Sequence, residues 1–298
     1  MLHKRKALSV ERRRVRAGWI FLAPWLLGLL NLFIIPFIYS VVYSLSNVYI
    51  DADSVGLQIK LIGFSNYNYL FFRDSSFIMT VWDSVANLLY SVPVIFIFSI
   101  FIALLLNQQF KGRGFVRSMF FLPVIIASGV VMKIIQKDVF VQSSMSDTAS
   151  VFQTDAIVEI LERTGLPDKI ITVITGVTGD VFDLSWKSGI QILLFISALQ
   201  SISPSYYEAA AIEGANAWES FWKITFPILS PTSLLVIIYS IIDSFTDASN
   251  EVMINMLERF NNFYYGLASA SSIIYLAAIM LIIGIVLIIG SKSIFHNS

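Results

Sequence analysis

Polar side chains recur at helical spacing within three otherwise apolar stretches of the chain. They stand at positions such as i, i+4, i+7 and i+8, which share one face of a helix. Because polar groups in lipid are costly, such a face should line a bundle interior or a wet cavity. Amide, carboxylate, hydroxyl and aromatic groups together suit a hydroxyl-rich solute, which needs forked hydrogen bonds and a flat apolar contact. The residues predicted to line a substrate pathway are Asn87, Tyr90, Ser91, Gln191, Tyr239, Asp243 and Asp247.

The alternative is that these side chains simply sit at the membrane surface. It applies most readily to the residues nearest the ends of the apolar stretches, which are Asp83, Lys187, Asp247 and Asn250. The sequence leaves both interpretations open for Asn87, Tyr239 and Asp243.

The residue inventory excludes several kinds of chemistry. The chain of 298 residues has no cysteine, which excludes disulfides, thiolate metal sites and cysteine nucleophiles. Its two histidines, His3 and His296, lie near the termini, and no GxxxxGK phosphate-binding loop occurs. We therefore expect a protein that is not an enzyme, has no metal site and takes its energy from elsewhere.

The elements that would position these residues are membrane spans. The chain is 56% hydrophobic and 13% charged, whereas ordinary soluble domains carry roughly a quarter charged residues. We predict an all-α membrane protein with six transmembrane helices, the first of them kinked or tilted near Pro24 and Pro36. The apolar runs cover residues 19–45, 79–106, 115–136, 186–202, 231–249 and 267–291.

Basic residues predict the orientation of these spans. Residues 1–16 carry seven Lys or Arg side chains against one acid, Glu11, directly before the first span. Such clusters flank spans on the cytoplasmic side, and six spans place both termini on one side, so both termini are predicted to be cytoplasmic. The chain then divides into a basic cytoplasmic segment, residues 1–17, and a transmembrane domain, residues 18–298. Beside a span this patch is better explained by topology than by nucleic acid, and no nucleic-acid partner is expected.

Residues 138–185 form the longest predicted outer loop. Apolar residues between Val151 and Leu161 recur at roughly helical spacing, before Gly165 and Pro167 end the pattern. The segment is predicted to be a small extracytoplasmic cap on the membrane surface. A landing surface for an external partner is the alternative.

Residues 203–231 form the long polar loop predicted to face the cytoplasm, between the fourth and fifth spans. Ser205 and Glu208 have the spacing of a capping box, with Pro204 just upstream. Gly214 can adopt the left-handed conformation that ends a helix. These signals predict a first short helix that ends at Gly214.

A second short helix is predicted to begin at Asn216, with Glu219 three residues later. Along it, large side chains recur on one stripe, formed by Trp218, Phe221, Trp222 and Thr225. Pro227 and Pro231 are predicted to end this helix. Tryptophans at headgroup level would explain the stripe. They would not explain the small-residue helix before Gly214, which suits close approach of a partner's backbone.

The loop resembles the EAA loop of ABC importer permeases, with Glu213 standing where aspartate is common. The residues that carry the resemblance are Glu208, Ala209, Ala210, Glu213, Gly214, Ala215, Phe221, Ile224, Pro227, Leu229 and Pro231. The segments IQILLFISALQSISPSYYEAAAIEGA and FWKITFPILSP are similar to the sugar-permease branch, of maltose and glycerol-3-phosphate type.

The resemblance implies one permease subunit of a type I, binding-protein-dependent importer for a sugar or oligosaccharide, in a bacterial cell membrane. Its implied partners are a second homologous permease in a heterodimer, two cytoplasmic ABC ATPases that hold ATP and Mg, an extracytoplasmic solute-binding protein and membrane lipid. The chain itself would bind no cofactor. Glu208 would contact the ATPase and Gly214 would form the turn, within an ATPase-coupling loop made of Glu208, Ala209, Ala210, Glu213, Gly214, Ala215, Trp218, Phe221 and Pro227.

Other classes remain as alternatives. An ion-coupled secondary transporter could use Asp243 or Asp83 for protons, but it predicts inverted repeats with broken helices, which the sequence does not display. A membrane scaffold would not need polar stripes within its spans. The sequence does not name the sugar. Nor does it decide whether the main substrate site lies in this chain or in the partner permease.

Overall fold

The computed structural model of the chain describes residues 10–50, 57–108, 110–126, 181, 184–247 and 249–292. Most of these residues are helical. In chain order the helices are α1 (Val10–Leu29), α2 (Ile35–Ser44), α3 (Ser65–Phe72), α4 (Ser75–Asn107), α5 (Arg113–Ile126), α6 (Gly189–Ser201), α7 (Pro204–Ile212), α8 (Ala217–Ser220), α9 (Phe226–Thr246), α10 (Glu251–Asn261) and α11 (Tyr265–Ser291). Two π-helical turns, Leu30–Ile34 and Phe221–Thr225, join α1 to α2 and α8 to α9.

Four helical segments among the described residues are long and apolar enough to cross a membrane. They are Ala17–Ser44, Ser75–Asn107, Ala217–Thr246 and Tyr265–Ser291, and they match the first, second, fifth and sixth predicted spans. The fourth predicted span corresponds to the shorter apolar helix α6, and the start of the third corresponds to α5. The protein is therefore a multi-pass, mostly helical membrane protein, while the number six stays a prediction.

Some predicted features fall on other parts of the chain. The cap at about 138–185 lies almost entirely outside the described residues. The same holds for residues 127–136 of the third predicted span and for residues 1–9 of the basic segment.

Pro227 and Pro231 do not end the second loop helix, contrary to the sequence prediction. The chain stays helical from Ala217 to Thr246, through the π-helical turn Phe221–Thr225. In an α-helix a proline ring clashes with the carbonyl four residues earlier. The wider π-turn just before Pro227 relieves this clash, because its hydrogen bonds close over five residues.

The first span contains the same arrangement. Its π-helical turn, Leu30–Ile34, lies just before Pro36, and the N–H of Ile35 donates to the carbonyl of Leu30. The predicted irregularity near Pro36 is thus a π-bulge, one of the recognised causes of helix distortion. Pro24, by contrast, lies inside α1.

The chain divides into two compact units. The first comprises Met1–Val81 with Glu251–Ala278, and the second comprises Trp82–Asn250 with Ile279–Ser298. Helices α4 and α11 each continue from one unit into the other.

A β-hairpin, which the hydropathy pattern did not predict, lies in the first unit. Strands β1 (Ser46–Ile50) and β2 (Leu57–Leu61) pair antiparallel, with Ser46 opposite Leu61. Burial alternates along β1, where Ser46 and Val48 are buried while Asn47 and Tyr49 are exposed. Two strands of five residues give too short an alternation to stand out in a polar loop.

The hairpin brings two span ends together within the first unit. The side-chain amide of Asn66 donates to the carbonyls of Ser44 and Ser46 at 2.9 and 3.0 Å. A Cβ at Gly266 would collide with the carbonyl oxygen of Ser46, so only glycine permits this approach. Because Ser44 ends α2 and Gly266 lies in the first turn of α11, the first span ends where the last described span begins.

An ion pair fixes α10 within the same unit. The guanidinium of Arg259 donates to the Asp74 carboxylate at 2.5 Å, and both side chains are largely buried. Asp74 also accepts the Ser76 hydroxyl and the N–H of Phe77, while Arg259 lies 5.4 Å from the centroid of the Phe77 ring. Burial acts to raise the pKa of Asp74, but the hydrogen bonds from Ser76, Arg259 and Phe77 outweigh it and hold that pKa below its ordinary value.

Apolar side chains from α4, α6 and α9 form the core of the second unit. Ile192, Phe195, Leu229 and Val236 are fully buried there, and Phe195 meets Phe96 edge to face at 5.5 Å. The guanidinium of Arg117 in α5 donates to the carbonyl of Leu106, which satisfies a carbonyl in the last turn of α4. This core supports the loop helices described next.

Candidate functional site

Helix α7 begins two residues earlier than the sequence predicted. Its N-cap is Ser203, whose hydroxyl accepts the N–H of Ser205, and Pro204 takes the first helical position. The prediction of Ser205 as the cap was wrong because proline, which lacks an N–H and has a fixed φ, suits the first turn itself.

Gly214 ends α7 as predicted. Its φ is 81°, in the left-handed region. The N–H of Ala215 donates to the carbonyl of Ala210 at 2.9 Å, and that of Gly214 donates to the carbonyl of Ala211 at 3.1 Å. This pair of bonds is the Schellman motif, in which glycine carries no steric penalty.

The capping box of α8 is also confirmed. The side chain of Asn216 accepts the N–H of Glu219 at 2.9 Å, and the Glu219 carboxylate accepts the N–H of Asn216 at 3.1 Å. Only one residue, Ala215, separates the Schellman glycine from this cap. The turn between α7 and α8 is therefore fixed by local hydrogen bonds at both of its ends.

The inner face of the loop is attached to the core of the second unit. The Tyr207 hydroxyl and Oγ1 of Thr225 are hydrogen-bonded at 2.9 Å, which joins α7 to the π-helical turn. Tyr207, Phe221 and Phe226 pack against the buried cluster that contains Leu199 and Leu229. The loop is thus part of the helical core rather than a loose connection.

The outer face of the loop presents large apolar side chains. Ile212 is 88% exposed and Trp218 is 70% exposed. Tyr206, Glu208 and Glu213 are exposed as well. Apolar anchors on a rigid helical support are what a protein groove receives in helix-in-groove recognition.

The predicted aromatic stripe is divided between two faces. Thr225 is buried and Phe221 packs on the core, whereas Trp218 and Trp222 are exposed. The π-helical turn causes the difference, because its period departs from the 3.6 residues that define an α-helical stripe. The two tryptophan rings stay together, edge to face at 5.7 Å.

Among the residues predicted for the substrate pathway, Gln191 is fully buried. Its Nε2 donates to the Ser240 hydroxyl at 3.2 Å, joining α6 to α9, and its Oε1 has no hydrogen-bond partner in the described part of the chain. Ser240 was not among the residues predicted to line the pathway. Periodicity could place each residue on a face, but not pair two faces.

Asp247 lies at the end of α9 and is engaged in local contacts. Its Oδ1 accepts the N–H and the hydroxyl of Ser249 at 2.9 and 2.8 Å, and its other oxygen stands 3.8 Å from Nζ of Lys187. These contacts agree with the surface interpretation for both charged residues. Asp243, one turn earlier, is exposed, and Tyr239 is partly buried.

Two of the polar residues predicted on α4, Asn87 and Tyr90, face outward in this chain. Asn87 is exposed, Tyr90 is 73% exposed, and Ser91 is partly buried with a buried hydroxyl that has no partner in the described residues. Nearby, the Ser84 hydroxyl donates to the side chain of Asn250 at 3.0 Å. Asn250 therefore links the turn after α9 to α4. Within the described ranges no group of acids or histidines could hold a metal ion.

Comparisons with known proteins agree on one class. The chain is 27% identical to the probable ABC transporter permease protein YesP of Bacillus subtilis, over 93% of this chain and 91% of that protein. It is 30% identical to the probable starch degradation products transport system permease protein AmyD of Thermoanaerobacterium thermosulfurigenes, over 76% of this chain and 72% of the relative. With the lactose transport system permease protein LacF of Rhizobium radiobacter the identity is 29%, over 78% and 74%. No family model matches the chain.

A solved structure shares the fold. It is a crystal structure of a bacterial ABC transporter involved in the import of the acidic polysaccharide alginate, with a TM-score of 0.64 over 95% of this chain and 97% of that one. A second structure shows the bacterial alginate ABC transporter with an alginate pentasaccharide-bound periplasmic protein, with a TM-score of 0.61. Both are 17% identical to this chain, and the likeness therefore concerns the fold alone.

Proposed function

Because the chain belongs to the sugar permeases of ABC transporters, we propose that it forms half of the translocation pore of a binding-protein-dependent importer. The 203–231 loop is proposed to couple the pore to a cytoplasmic ATPase. The proposal rests on the exposed apolar face of α7 and α8. The opposite face of these helices is attached to the core of the second unit. Glu208, exposed on α7, adds a charge for a polar contact with the ATPase.

ATP hydrolysis in separate subunits is proposed to supply the energy for transport. The chain has no phosphate-binding loop, so two ATPase partners would hold ATP and Mg. Closure of the ATPase pair would move the loop helices. Since Tyr207, Phe221 and Phe226 attach these helices to the core around α6 and α9, the spans would move with them.

The proposed cargo is a sugar or oligosaccharide, delivered by an extracytoplasmic binding protein. The names of the relatives support the class, since they mention starch degradation products, lactose and arabinooligosaccharides. The pathway would use the polar residues that remain accessible in this chain, foremost Asn87, Tyr90 and Asp243. Their open faces would be completed by a second permease in a heterodimer.

The proposed orientation places both termini in the cytoplasm. The end of α2 and the beginning of α11 lie together in the first unit, so the outer ends of these spans share one side of the membrane. This arrangement supports a common side for the two termini. The basic N-terminal segment favours the cytoplasm as that side.

The coupling role can be tested with Gly214→Asp. The substitution places a charged side chain in a left-handed turn, on the face proposed to meet the ATPase. We expect the purified complex to lose most of its ATPase subunit and sugar uptake to stop, while the protein still inserts. Gel densitometry of the purified complex measures the retained ATPase subunit, and a transport assay in vesicles measures sugar uptake.

Gly63→Asp is the matched control. Gly63 also has a positive φ, of 62°, and open space around its Cβ position, as Gly214 does, so the two variants carry similar backbone strain. It lies between β2 and α3, on the proposed outer side, and the ATPase should stay bound. Normal retention of the ATPase and normal uptake in Gly214→Asp would contradict the docking role.

A further inference from the structure

The first unit contains a cavity that none of the functions above uses. Its volume is about 690 Å³, within the range of small-molecule sites. Strand β1, helix α3 and the turn between α10 and α11 form its walls. The side chains that matter for its chemistry are Asn47, Tyr49, Asn66, Tyr69, Asn262 and Phe263.

The cavity combines amide side chains with aromatic rings. The side chains of Asn47 and Asn262 make no hydrogen bond to any described residue, so each offers donors and an acceptor. Asn66 uses its Nδ2 for the carbonyls of Ser44 and Ser46, which leaves its Oδ1 as an acceptor. Tyr49, Tyr69 and Phe263 add exposed flat surfaces.

Charge narrows the class of ligand. Among the described residues that line the cavity there is no Asp, Glu, Lys, Arg or His. An anion such as a phosphate or a lipid headgroup would lack a counter-charge there, whereas a neutral polyhydroxyl compound needs only the amides and rings.

The backbone of the cavity wall is strained at one position. Phe263 has a φ of 64°, a conformation that side chains other than glycine rarely adopt. The turn is held by the hydrogen bonds of Phe263 to Phe260 and of Tyr264 to Arg259, and the Phe263 ring remains exposed at the cavity. These two bonds are the Schellman pattern that ends α10, and this helix end holds the Phe263 ring at the cavity.

We propose that this cavity is a second carbohydrate-binding site, on the outer surface, separate from the pathway formed by α4 and α9. It lies within the first unit, where the first span ends and the last described span begins. The sugar class rests on the proposed importer function.

The test uses the absence of cysteine from the chain. Ser65→Cys introduces a single thiol at the cavity wall, where Ser65 is exposed. In the complete transporter complex in nanodiscs, its reaction rate with a membrane-impermeant maleimide is measured with maltotriose, arabinotriose or lactose. We expect one of them to slow the reaction about tenfold at ten times its dissociation constant, because only the free fraction reacts.

Two controls make the result specific. Leu61→Cys places a thiol on β2, where Leu61 is exposed but does not line the cavity, and sugar should leave its reaction rate unchanged. Adding Asn47→Ala to Ser65→Cys should raise the sugar concentration for half-protection about fivefold, as the loss of one hydrogen bond implies. Adding Asn68→Ala, on the same helix but outside the cavity lining, should not.

The proposal fails if all three sugars leave the Ser65→Cys rate unchanged. It also fails if the sugar-free binding protein protects the thiol as well as sugar does, which would assign the cavity to a protein contact. Uptake of the same sugars by the wild-type transporter is measured in parallel. Uptake without protection would overturn only the cavity proposal, whereas protection without uptake would overturn the importer proposal and retain the site.

Discussion

Arg259 and Asp74 show how single residues position the outer part of the first unit. Asp74 precedes α4 and accepts the N–H of Phe77 in its first turn, and Arg259 stands near the end of α10, one turn before Phe263. The ion pair therefore links the beginning of a span to the turn that lines the cavity. Both side chains are largely buried. Breaking this pair should therefore lower the free energy of unfolding more than breaking an exposed pair would.

Replacing Arg259 with leucine should destabilise the first unit. A buried Asp74 carboxylate without its partner costs about 3 kcal/mol, seen as a fall in the apparent Tm of the complex in detergent. Arg73→Leu is the control, because Arg73 is exposed, and its effect should stay within about 0.5 kcal/mol.

The effect of Arg259→Leu should depend on pH in a defined direction. The folded pKa of Asp74 is lowered, so its stabilisation is complete above the ordinary carboxyl pKa of about 3.9 and is lost as the pH falls through the folded value. The Tm difference between wild type and Arg259→Leu should therefore shrink below about pH 4. A difference that stays constant down to pH 3 or so would show that the pair does not act through the ionised carboxylate.

At the level of elements, turns and close approaches decide how the helices are placed. The Schellman turn at Gly214 and the capping box at Asn216 fix the angle between α7 and α8. The π-helical turn before Pro227 then carries α8 into α9 without a break. In the first unit, Gly266 allows β1 to lie directly against α11.

Gly266→Ala should separate β1 from α11. Its Cβ would meet backbone, the carbonyl oxygen of Ser46, which cannot move as a side-chain end can, and overpacking of this kind costs about 1–3 kcal/mol. Gly284→Ala in the same helix has open space around its Cβ position and should have little effect. Limited proteolysis of the hairpin and the apparent Tm would report the change, and equal Tm values for the two variants would refute the close approach.

At the scale of the whole molecule, the class of transporter decides whether ATP hydrolysis or an ion gradient drives transport. The relatives are permeases of ABC transporters and of sugar transport systems, and the fold agrees with a solved ABC importer. An ion-coupled mechanism through Asp243 remains the alternative that the sequence raised.

Sugar uptake into proteoliposomes should separate the two mechanisms. With the partner permease, the ATPase subunits and the binding protein present, uptake should require ATP. A proton gradient imposed without ATP should give no uptake above that of protein-free liposomes, because the proposed route of energy is the loop rather than an intramembrane acid. Uptake driven by the gradient alone, and lost in Asp243→Asn, would favour the secondary transporter instead.

The sequence by itself determined the membrane class, four of the spans and the local signals of the loop. Long apolar runs must become helices in lipid, because every backbone group needs an internal partner there. The turn at Gly214 and the cap at Asn216 could be predicted because each depends on residues within a few positions of one another. The resemblance of the loop to importer permeases rests on the same kind of local pattern, and the comparisons confirmed the family.

The tertiary structure decided what depends on residues far apart in the chain. Gln191 is directed at Ser240, Arg259 at Asp74 and Asn66 at Ser44 and Ser46, and hydropathy carries no information about such pairs. The π-helical turn divided a stripe that the 3.6-residue period had placed on one face. The cavity formed by β1, α3 and the α10–α11 turn exists only because the chain brings together segments some 200 residues apart, and side-chain spacing along a single helix cannot predict such a contact.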